Sequence, residues 1–435
     1  MGKILTVGQF KTRILLGLFL SGLAAGIALC YAGNKSGNER FLILGFMCFM
    51  AVSMTLFVSV ILWAMRHQLD KGIKYVWKHY KLVRLIERQL LDAGIYTTVK
   101  IGDSKLAKIP WVAIQFEKNY QRGTVYIRNS IKFHGRWSKM DISASLGSYV
   151  VEQVYLTDNE NHYCYDFYDS AIERRMVFEN FEAFKSYAAS LNPYELFIDK
   201  YSKFRLAHQL LVGQTGSGKT YALHGYVLQM LLKPIKYHLY FADPKSSSLA
   251  LLGGQVSPET TADSFNGIVR LLESFVAEME KRQLQLKNLL RNKIDGDYRD
   301  FGLPPYVLLF DEYADFATFL QTKDKKQRDY VNNLISQIVL KGRQSGFFLW
   351  VVMQQAGSNN IPTYVRDNLP WKVVLGNAED QTYVTAFGAG TDIPLRKLET
   401  GEGVFTYPAV ANKPRLCSFP TFGFDVLGVL EAGVM

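Results

Sequence analysis

The stretch Gly213-Gln214-Thr215-Gly216-Ser217-Gly218-Lys219-Thr220 decides the fold of this chain, because it fits the pattern G-x-x-x-x-G-K-[ST] at every fixed position. Residues 208–212 before it are typical of a short buried strand, and residues 221–232 follow with apolar side chains at helical spacing. In a strand, glycine loop and helix of this kind, successive backbone N–H groups converge on one anion. The sequence therefore predicts a phosphate-binding loop, and a glycine-rich turn that binds nothing is the alternative.

The residues of this loop have predicted roles. We expect Lys219 to contact the β- and γ-phosphates of ATP, and the hydroxyl of Thr220 to bind Mg²⁺. Lys219 is then also a catalytic residue, because its charge would stabilise the transferred phosphoryl group. The other expected nucleotide contacts are Gly213, Gln214, Thr215, Gly216, Ser217, Gly218 and Tyr221.

A second apolar strand, at 306–310, ends directly in Asp311 and Glu312. A carboxylate at such a strand tip can hold Mg²⁺, and the next one can polarise the water that attacks a phosphate. We therefore expect Asp311 to be a metal ligand and Glu312 to be the general base. A strand that simply ends in solvated acidic residues is the alternative.

Two further polar residues flank the next apolar strand, at 347–353. Gln354 follows the strand, and its amide is a candidate to bind the γ-phosphate or the lytic water. Ordinary strand-end polarity explains it almost as well. Arg343 precedes the strand and is a candidate to reach the nucleotide of a neighbouring subunit and stabilise transferred charge. A surface arginine is the competing interpretation.

Two uncharged runs lie near the amino end, at 14–31 and 41–64. As helices they are ~27 and ~36 Å long, enough to cross a hydrocarbon core of ~30 Å. A signal peptide is the alternative for the first run, but the second run so soon afterwards favours a hairpin that stays in the membrane. Basic residues are denser outside the runs than between them, so both termini are expected in the cytoplasm.

The composition bounds the class of protein. The 435 residues carry a net charge of +11, which indicates an anionic partner such as nucleic acid or a membrane surface. Four cysteines without metal-ligand spacing exclude a disulfide-rich secreted scaffold and favour a reducing compartment. The predicted domains are a transmembrane anchor at 1–68, a basic amphipathic helix at 69–92, a small α+β domain at 93–190 and a P-loop ATPase motor at 191–435.

Two of these segments have open interpretations. The basic face of the 69–92 helix either contacts anionic lipid or DNA, or is a solvated face that obeys the positive-inside rule. In the 93–190 domain, a helical stretch near 141–152 is expected to interrupt the strands. Its strand aromatics are interpreted as cross-strand packing, with base stacking as the alternative.

Together these motifs resemble the FtsK/SpoIIIE family of membrane-anchored DNA-pumping ATPases, over roughly residues 208–407. The likeness extends to Asp243-Pro244-Lys245, Glu278-Met279-Glu280-Lys281-Arg282, Gly342-Arg343, Arg366-Asp367-Asn368-Leu369-Pro370 and Gly401-Glu402-Gly403. The resemblance implies an α/β fold with a RecA-like P-loop NTPase core, whose mainly parallel sheet is flanked by helices. It also implies ATP and Mg²⁺ as cofactors and a homo-hexameric ring around DNA.

Within the family, the short two-span anchor is similar to the TcpA-like coupling proteins of conjugative elements in Gram-positive bacteria. Because the chain ends soon after the motor, we expect no winged-helix domain, and Gln344-Ser345 stand where the family usually has two alanines. The resemblance implies an ATP-driven translocase of the cell membrane that delivers a DNA–relaxase complex to conjugation channel proteins. Protein secretion, chromosomal DNA segregation and a scaffold that binds nucleotide without turnover are the alternatives.

Overall fold

The computed structural model describes residues 5–102, 104–117, 119–137, 140, 142–291, 293–356, 361–391, 393 and 397–431. The chain forms two compact units, Met1–Ile172 and Glu173–Met435. The four domain boundaries expected from the sequence stay predictions.

The first unit begins with two long helices that contain the two uncharged runs, α1 (Val7–Ser36) and α2 (Glu39–Arg66). A capping box at Thr6 and Gln9 starts α1, and Gly37 ends it in the left-handed conformation. Both helices are long and apolar enough to cross a membrane, and almost all of their apolar side chains point away from the protein. The expected helical hairpin is therefore present.

Glycines bring the two helices together. A Cβ atom built on Gly45 would lie 2.5 Å from Sγ of Cys30, and one built on Gly33 would lie 2.9 Å from the side chain of Leu42. Only glycine permits this close approach of the two backbones, which is a common way for helices to pack within a membrane.

We expect Gly45→Val to destabilise the hairpin, because overpacking a tight contact costs roughly 1–3 kcal/mol. Thermal unfolding of the full chain in detergent measures the effect. Gly17→Val is the matched control, since a Cβ atom there meets nothing within 4 Å. Equal melting temperatures for the two variants would contradict this packing.

After the hairpin, helix α3 (Ile73–Asp92) packs on an antiparallel sheet with the order β3-β4-β6-β5. Its core includes Ile86 and Leu90 of α3, together with Trp137. The strands of this unit are β1 (Thr97–Ile101), β2 (Ser104–Lys108), β3 (Val112–Phe116), β4 (Arg122–Arg128), β5 (Tyr149–Leu156) and β6 (His162–Asp169).

The sequence was misleading at one place in this sheet. The helix expected near 141–152 is wrong: residue 141 lies outside the described residues, a single 3-10 turn covers Ser143–Ser145, and the chain then enters β5. Val150 and Val151 pair with β6, where β-branched side chains pack well. The aromatic residues of β6 lie in the core, as the packing interpretation expects.

The second unit is built on an eight-stranded sheet with the order β12-β11-β13-β14-β10-β15-β16-β17. The first six strands in this order are parallel, and β16 and β17 are antiparallel additions. These strands are β10 (Gln209–Gly213), β11 (His238–Ala242), β12 (Thr261–Ala262), β13 (Tyr306–Phe310), β14 (Phe347–Met353), β15 (Trp371–Leu375), β16 (Glu402–Tyr407) and β17 (Ala411–Ser418). The predicted α/β class with a mainly parallel sheet is confirmed.

Helices and short strands surround this sheet. The helices are α4 (Phe181–Ala189), α5 (Lys219–Leu231), α6 (Ser248–Val256), α7 (Phe265–Leu289), α8 (Tyr313–Gln321), α9 (Lys325–Ser345), α10 (Thr363–Asp367), α11 (Asp380–Phe387) and α12 (Val426–Glu431). Short strands β7 (Val177–Phe178) and β18 (Thr421–Phe422) pair with each other, as do β8 (Glu195–Asp199) and β9 (Ser202–Arg205). Strand β14 is buried along its length, which explains why it is an unbroken apolar run in the sequence.

The strand order positions the predicted site. Strand β14 lies between β10 and β13, and all three run parallel. Their carboxyl ends therefore meet at one edge of the sheet, which carries the phosphate loop, Gln354 and the Asp311-Glu312 pair side by side. Ligands of open α/β sheets bind beyond this edge.

Buried His208, just before β10, makes the second unit sensitive to acid. Its Nδ1 accepts the N–H of Leu349 at 2.9 Å, which requires that nitrogen to be unprotonated. Burial lowers the pKa of His208 to about 3, and the positive charge of Arg343 adds to the effect. The unfolded chain binds a proton near the ordinary pKa of about 6.5 whereas the native state does not, so stability is full above that pH and falls as the pH drops toward 3.

As the pH drops below 6.5, we expect protonation of His208 in the unfolded chain to lower the free energy of unfolding by at most about 1.4 kcal/mol per pH unit. In His208→Gln the amide oxygen accepts the same N–H without titrating. The stability of this variant should therefore depend less steeply on pH than that of the wild type. Melting temperatures of the full chain between pH 7 and 4.5 test this. Exposed His134→Gln is the control, and parallel curves for the wild type and His208→Gln would contradict the assignment.

Candidate functional site

The phosphate loop connects the end of β10 to the start of α5. Gly216 and Gly218 have φ angles of +83° and +95°, which glycine adopts without strain. A Cβ atom on Gly213 would clash with Oγ of Ser217. The positive φ angles therefore favour glycine at Gly216 and Gly218, and Lys219 is placed in the first turn of α5.

A second segment holds the loop from outside. The N–H of Gly401 donates to the carbonyl of Ser217 at 2.8 Å, and the hydroxyl of Thr400 donates to the carbonyl of Gly216 at 3.2 Å. The guanidinium of Arg175 in turn donates to the carbonyl of Thr400 at 2.6 Å. The turn before β16 thus fixes the shape of the phosphate loop, because it occupies two of the loop's carbonyl groups.

The catalytic candidates meet at the carboxylate of Glu312. Lys219 Nζ lies 3.0 Å from Glu312 Oε1 and 3.6 Å from Asp311 Oδ1. The amide Nε2 of Gln354 donates to the same Glu312 oxygen at 2.9 Å. Glu312 has a φ angle of +46°, a strained conformation for a side chain of this size, at the cap of α8. The structure therefore brings Lys219, Asp311, Glu312 and Gln354 into one cluster.

Lys245 completes this cluster. Its Nζ lies 3.1 Å from Glu312 Oε2 and 2.9 Å from Asp315 Oδ2, so both oxygens of Glu312 are engaged. Buried Asp243 positions it, since its carboxylate accepts the N–H groups of Lys245 and Ser247. Asp315 lies in the first turn of α8.

We expect Lys245→Met to lower kcat for ATP hydrolysis by about tenfold, which corresponds to one lost charged contact of ~1.4 kcal/mol. KM for ATP should change little, because Lys245 holds Glu312 and not the loop. Lys245→Arg should restore part of the rate, and Lys281→Met, which removes a surface ion pair, is the control. A KM that rises in step with the fall in kcat would show instead that Lys245 binds the nucleotide.

The pKa values of the two acidic residues are shifted in opposite directions. Burial raises the pKa of Asp311, and the charge of Lys219 offsets only part of this. Burial also acts to raise the pKa of Glu312, but hydrogen bonds from Lys219, Gln354 and Lys245 outweigh it and hold that pKa below its ordinary value. Glu312 is therefore ionised, and three donors contact its two oxygens.

The residues expected to hold Mg²⁺ fit such an ion. Asp311 presents a buried carboxylate at the strand tip, and Thr220 contributes a hydroxyl from the first turn of α5. Hard oxygen donors of this kind suit Mg²⁺, which commonly takes one or two protein ligands and completes its shell with water and substrate phosphates. The described residues contain no group of three or more His, Cys, Asp or Glu side chains that could hold a metal by themselves.

Comparison with known proteins agrees with this geometry. Residues 187–303, which include the phosphate loop and Asp243, match the FtsK/SpoIIIE family. This chain contains an FtsK/SpoIIIE domain. The Asp311-Glu312 pair and Gln354 lie beyond the matched stretch, in the same parallel sheet.

Two related proteins with known names match part of this chain. The FtsK domain-containing protein YdcQ of Bacillus subtilis is 32% identical over 199 residues, which are 46% of this chain and 40% of YdcQ. The DNA translocase FtsK of Staphylococcus epidermidis is 27% identical over 202 residues, which are 42% of this chain and 24% of that protein. The chain thus matches less than half the length of either relative.

Solved structures resemble the chain at low identity. The pCW3 conjugation coupling protein TcpA, in a monomer form with ATPγS, is 15% identical with a TM-score of 0.47, and the match covers 80% of this chain and 99% of TcpA. EssC (ATPases 2 and 3) from Geobacillus thermodenitrificans is 14% identical with a TM-score of 0.43, and the match covers 60% and 50% of the two chains.

The second unit does not bring every predicted site residue to the phosphate loop. Arg343 lies near the end of α9, just before β14 begins, and so at the edge of the sheet opposite the loop. Within one chain it is not part of the site, and a role toward a neighbouring subunit stays a prediction. Tyr221 follows Thr220 on α5 and is 64% exposed, and its contact with nucleotide also stays a prediction.

A solvent-open cavity of about 570 Å³ lies beside the cluster, lined by Gln214, Thr215, Lys245, Glu312, Ala314, Asp315, Gln354 and Gln355. Its walls combine loop residues with the acidic strand tip. The arrangement can place a phosphate between Lys219 and Glu312, with an amide and a second lysine nearby. Lys245 and Thr400 were missed as site residues, although both lie in or beside motifs that carried the family likeness.

Proposed function

We propose that the chain is a membrane-anchored ATPase that couples ATP hydrolysis to the movement of DNA, and that it delivers DNA to a conjugative transfer channel. The observation that carries the ATPase assignment is the convergence of Lys219, Glu312 and Gln354 at the phosphate loop. The DNA translocase FtsK among the relatives supports DNA as the substrate, and the TcpA-like resemblance of the sequence supports conjugation.

In this proposal, ATP competes with Glu312 for Lys219. The ammonium group leaves the carboxylate and contacts the β- and γ-phosphates, which releases Glu312 to accept a proton from the attacking water. Gln354, already 2.9 Å from Glu312, would orient that water. Mg²⁺, held by Thr220 and Asp311, would neutralise charge on the phosphates when bound. The resting contacts thus keep the general base occupied until nucleotide arrives.

Charge supports a nucleic-acid partner. From residue 70 onward, 44 Lys and Arg stand against 38 Asp and Glu, so the part outside the hairpin is net positive. The hairpin would hold the protein in the cell membrane with both termini in the cytoplasm, where ATP is available. We further propose a homo-hexamer around DNA, with Arg343 of each subunit facing its neighbour, and a relaxase and channel proteins as partners.

The test is stimulation of ATP hydrolysis by candidate polymers, with the full chain in nanodiscs. Double- or single-stranded DNA should raise kcat, and the stimulation should fall as salt rises, because phosphate contacts release counterions. Hydrolysis unmoved by either form of DNA would refute the DNA assignment. Stimulation by an unfolded polypeptide instead would indicate a secretion ATPase.

A further inference from the structure

Helix α3 has an outward face that the core of the first unit does not use. Ile73 is 82% exposed and Trp77 is 68% exposed, one helical turn apart. The same stripe continues through Lys81 and Leu85, which is 38% exposed. Single exposed apolar residues are ordinary, but a tryptophan and an isoleucine side by side on a basic helix form a distinct surface.

This outward face is positively charged. Its exposed cations are Lys74, Lys81, Arg84 and Arg88, and the ammonium of Lys74 also lies 5.5 Å from the ring centroid of Tyr120. The acidic residue in their midst, Glu87, is engaged by Arg66 at 3.7 Å and by Arg84 at 3.8 Å. The stripe of Ile73 and Trp77 is therefore flanked by basic side chains that complement an anionic surface.

The end of α2 fixes the position of α3. The ring of Trp63 lies 6.1 Å from that of Tyr80, and Nδ1 of His67 lies 3.1 Å from Nδ1 of His79. A single 3-10 turn, Leu69–Lys71, joins the two helices. The middle of α3 is thus packed against the last turn of a helix that is long and apolar enough to cross a membrane.

We propose that the outward face of α3, defined by Ile73, Lys74, Trp77 and Lys81, lies in the headgroup layer of a bilayer that contains anionic phospholipid. Tryptophan favours the boundary between acyl chains and headgroups. Lysine side chains lay their apolar stems along that layer while their ammonium groups contact lipid phosphates. The inference rests on the membrane anchoring proposed above.

Lipid fits this surface better than DNA does. The apolar pair lies at the centre of the stripe, where a duplex backbone would offer only phosphates and sugars. An interfacial helix has this combination of apolar and cationic residues, and α3 is held where α2 would leave the bilayer. DNA is therefore an outcome of the test and not the proposed occupant.

The experiment uses the full chain in nanodiscs of phosphatidylcholine alone, or with phosphatidylglycerol. The contribution of Trp77 is the difference in fluorescence between the wild type and Trp77→Phe. In discs with phosphatidylglycerol brominated on its acyl chains, we expect this contribution to be quenched by at least half and to be shielded from acrylamide. The double variant with Lys74→Gln and Lys81→Gln should remove most of the difference in Trp77 quenching and shielding between discs with and without phosphatidylglycerol.

Trp111→Phe is the matched control, since Trp111 is 49% exposed in the same unit but lies off α3. Its contribution should be the same in both kinds of disc. A Trp77 contribution that is open to acrylamide and unquenched by brominated lipid would overturn the proposal, as would shielding that appears only when duplex DNA is added. Failure of the chain to co-elute with discs would overturn the anchoring itself, which separates the two failures.

Discussion

Replacing Glu312 by Gln is expected to lower kcat for ATP hydrolysis by about 10³-fold, within the range for removal of a general base. The amide is nearly isosteric but cannot take a proton from water. ATP should bind at least as tightly as in the wild type, because Lys219 loses the carboxylate that holds it at 3.0 Å in the resting site. Single-turnover hydrolysis and nucleotide titration measure the two quantities separately.

Glu278→Gln provides the control for the Glu312 variant, because Glu278 pairs with Lys281 on the surface of α7. It should hydrolyse ATP like the wild type. If Glu312→Gln still binds ATP but has lost its function in cells, the protein is not a scaffold that binds nucleotide without turnover. Hydrolysis at the wild-type rate by Glu312→Gln would remove this residue from the mechanism.

Replacing Lys219 by Ala is expected to weaken ATP binding by about 100-fold. Charged hydrogen bonds contribute ~1.5–3 kcal/mol each, and tenfold in affinity corresponds to ~1.4 kcal/mol. The same change leaves Asp311 and Glu312 buried beside each other without their shared cation, so the melting temperature of the nucleotide-free protein should also fall.

Isothermal titration with ATP and Mg²⁺, together with a melting curve of the nucleotide-free chain, measures both effects of Lys219→Ala. Lys325→Ala, at the exposed start of α9, is the control and should change neither. A variant that loses affinity but keeps its melting temperature would show that the Lys219 ion pairs do not stabilise the resting state.

Local sequence patterns predicted the parts of the site that are contiguous in the chain. The glycine pattern of residues 213–220 specifies its own backbone, and Asp311-Glu312 follows an apolar strand that is buried in the sheet. Gln354 was expected at the same edge only as one of two nearly equal interpretations, and the structure places its amide on Glu312. These side chains lie together because residues that follow the carboxyl ends of neighbouring parallel strands share one edge of the sheet, and the role of each stays a prediction.

Contacts between distant segments could not be predicted. Arg175 and Thr400 are separated by 225 residues and meet only through a hydrogen bond to a backbone carbonyl, which leaves no signal in side-chain pattern. Lys245 reaches Glu312 across 67 residues because β11 and β13 are neighbours. The strand at Tyr149–Leu156 was missed because its pairing with β6 overrides the local helical pattern.

The central claim is that the terminal phosphate of ATP lies between Lys219 and the acidic strand tip. A structure of the full chain with a non-hydrolysable ATP analogue and Mg²⁺ tests it most directly. We predict that Lys219 Nζ leaves Glu312 for the β- and γ-phosphates, with Thr220 and Asp311 both close enough to bind the same Mg²⁺ ion. Lys219 still paired with Glu312 beside bound nucleotide, or Thr220 and Asp311 too far apart to share one ion, would contradict the account.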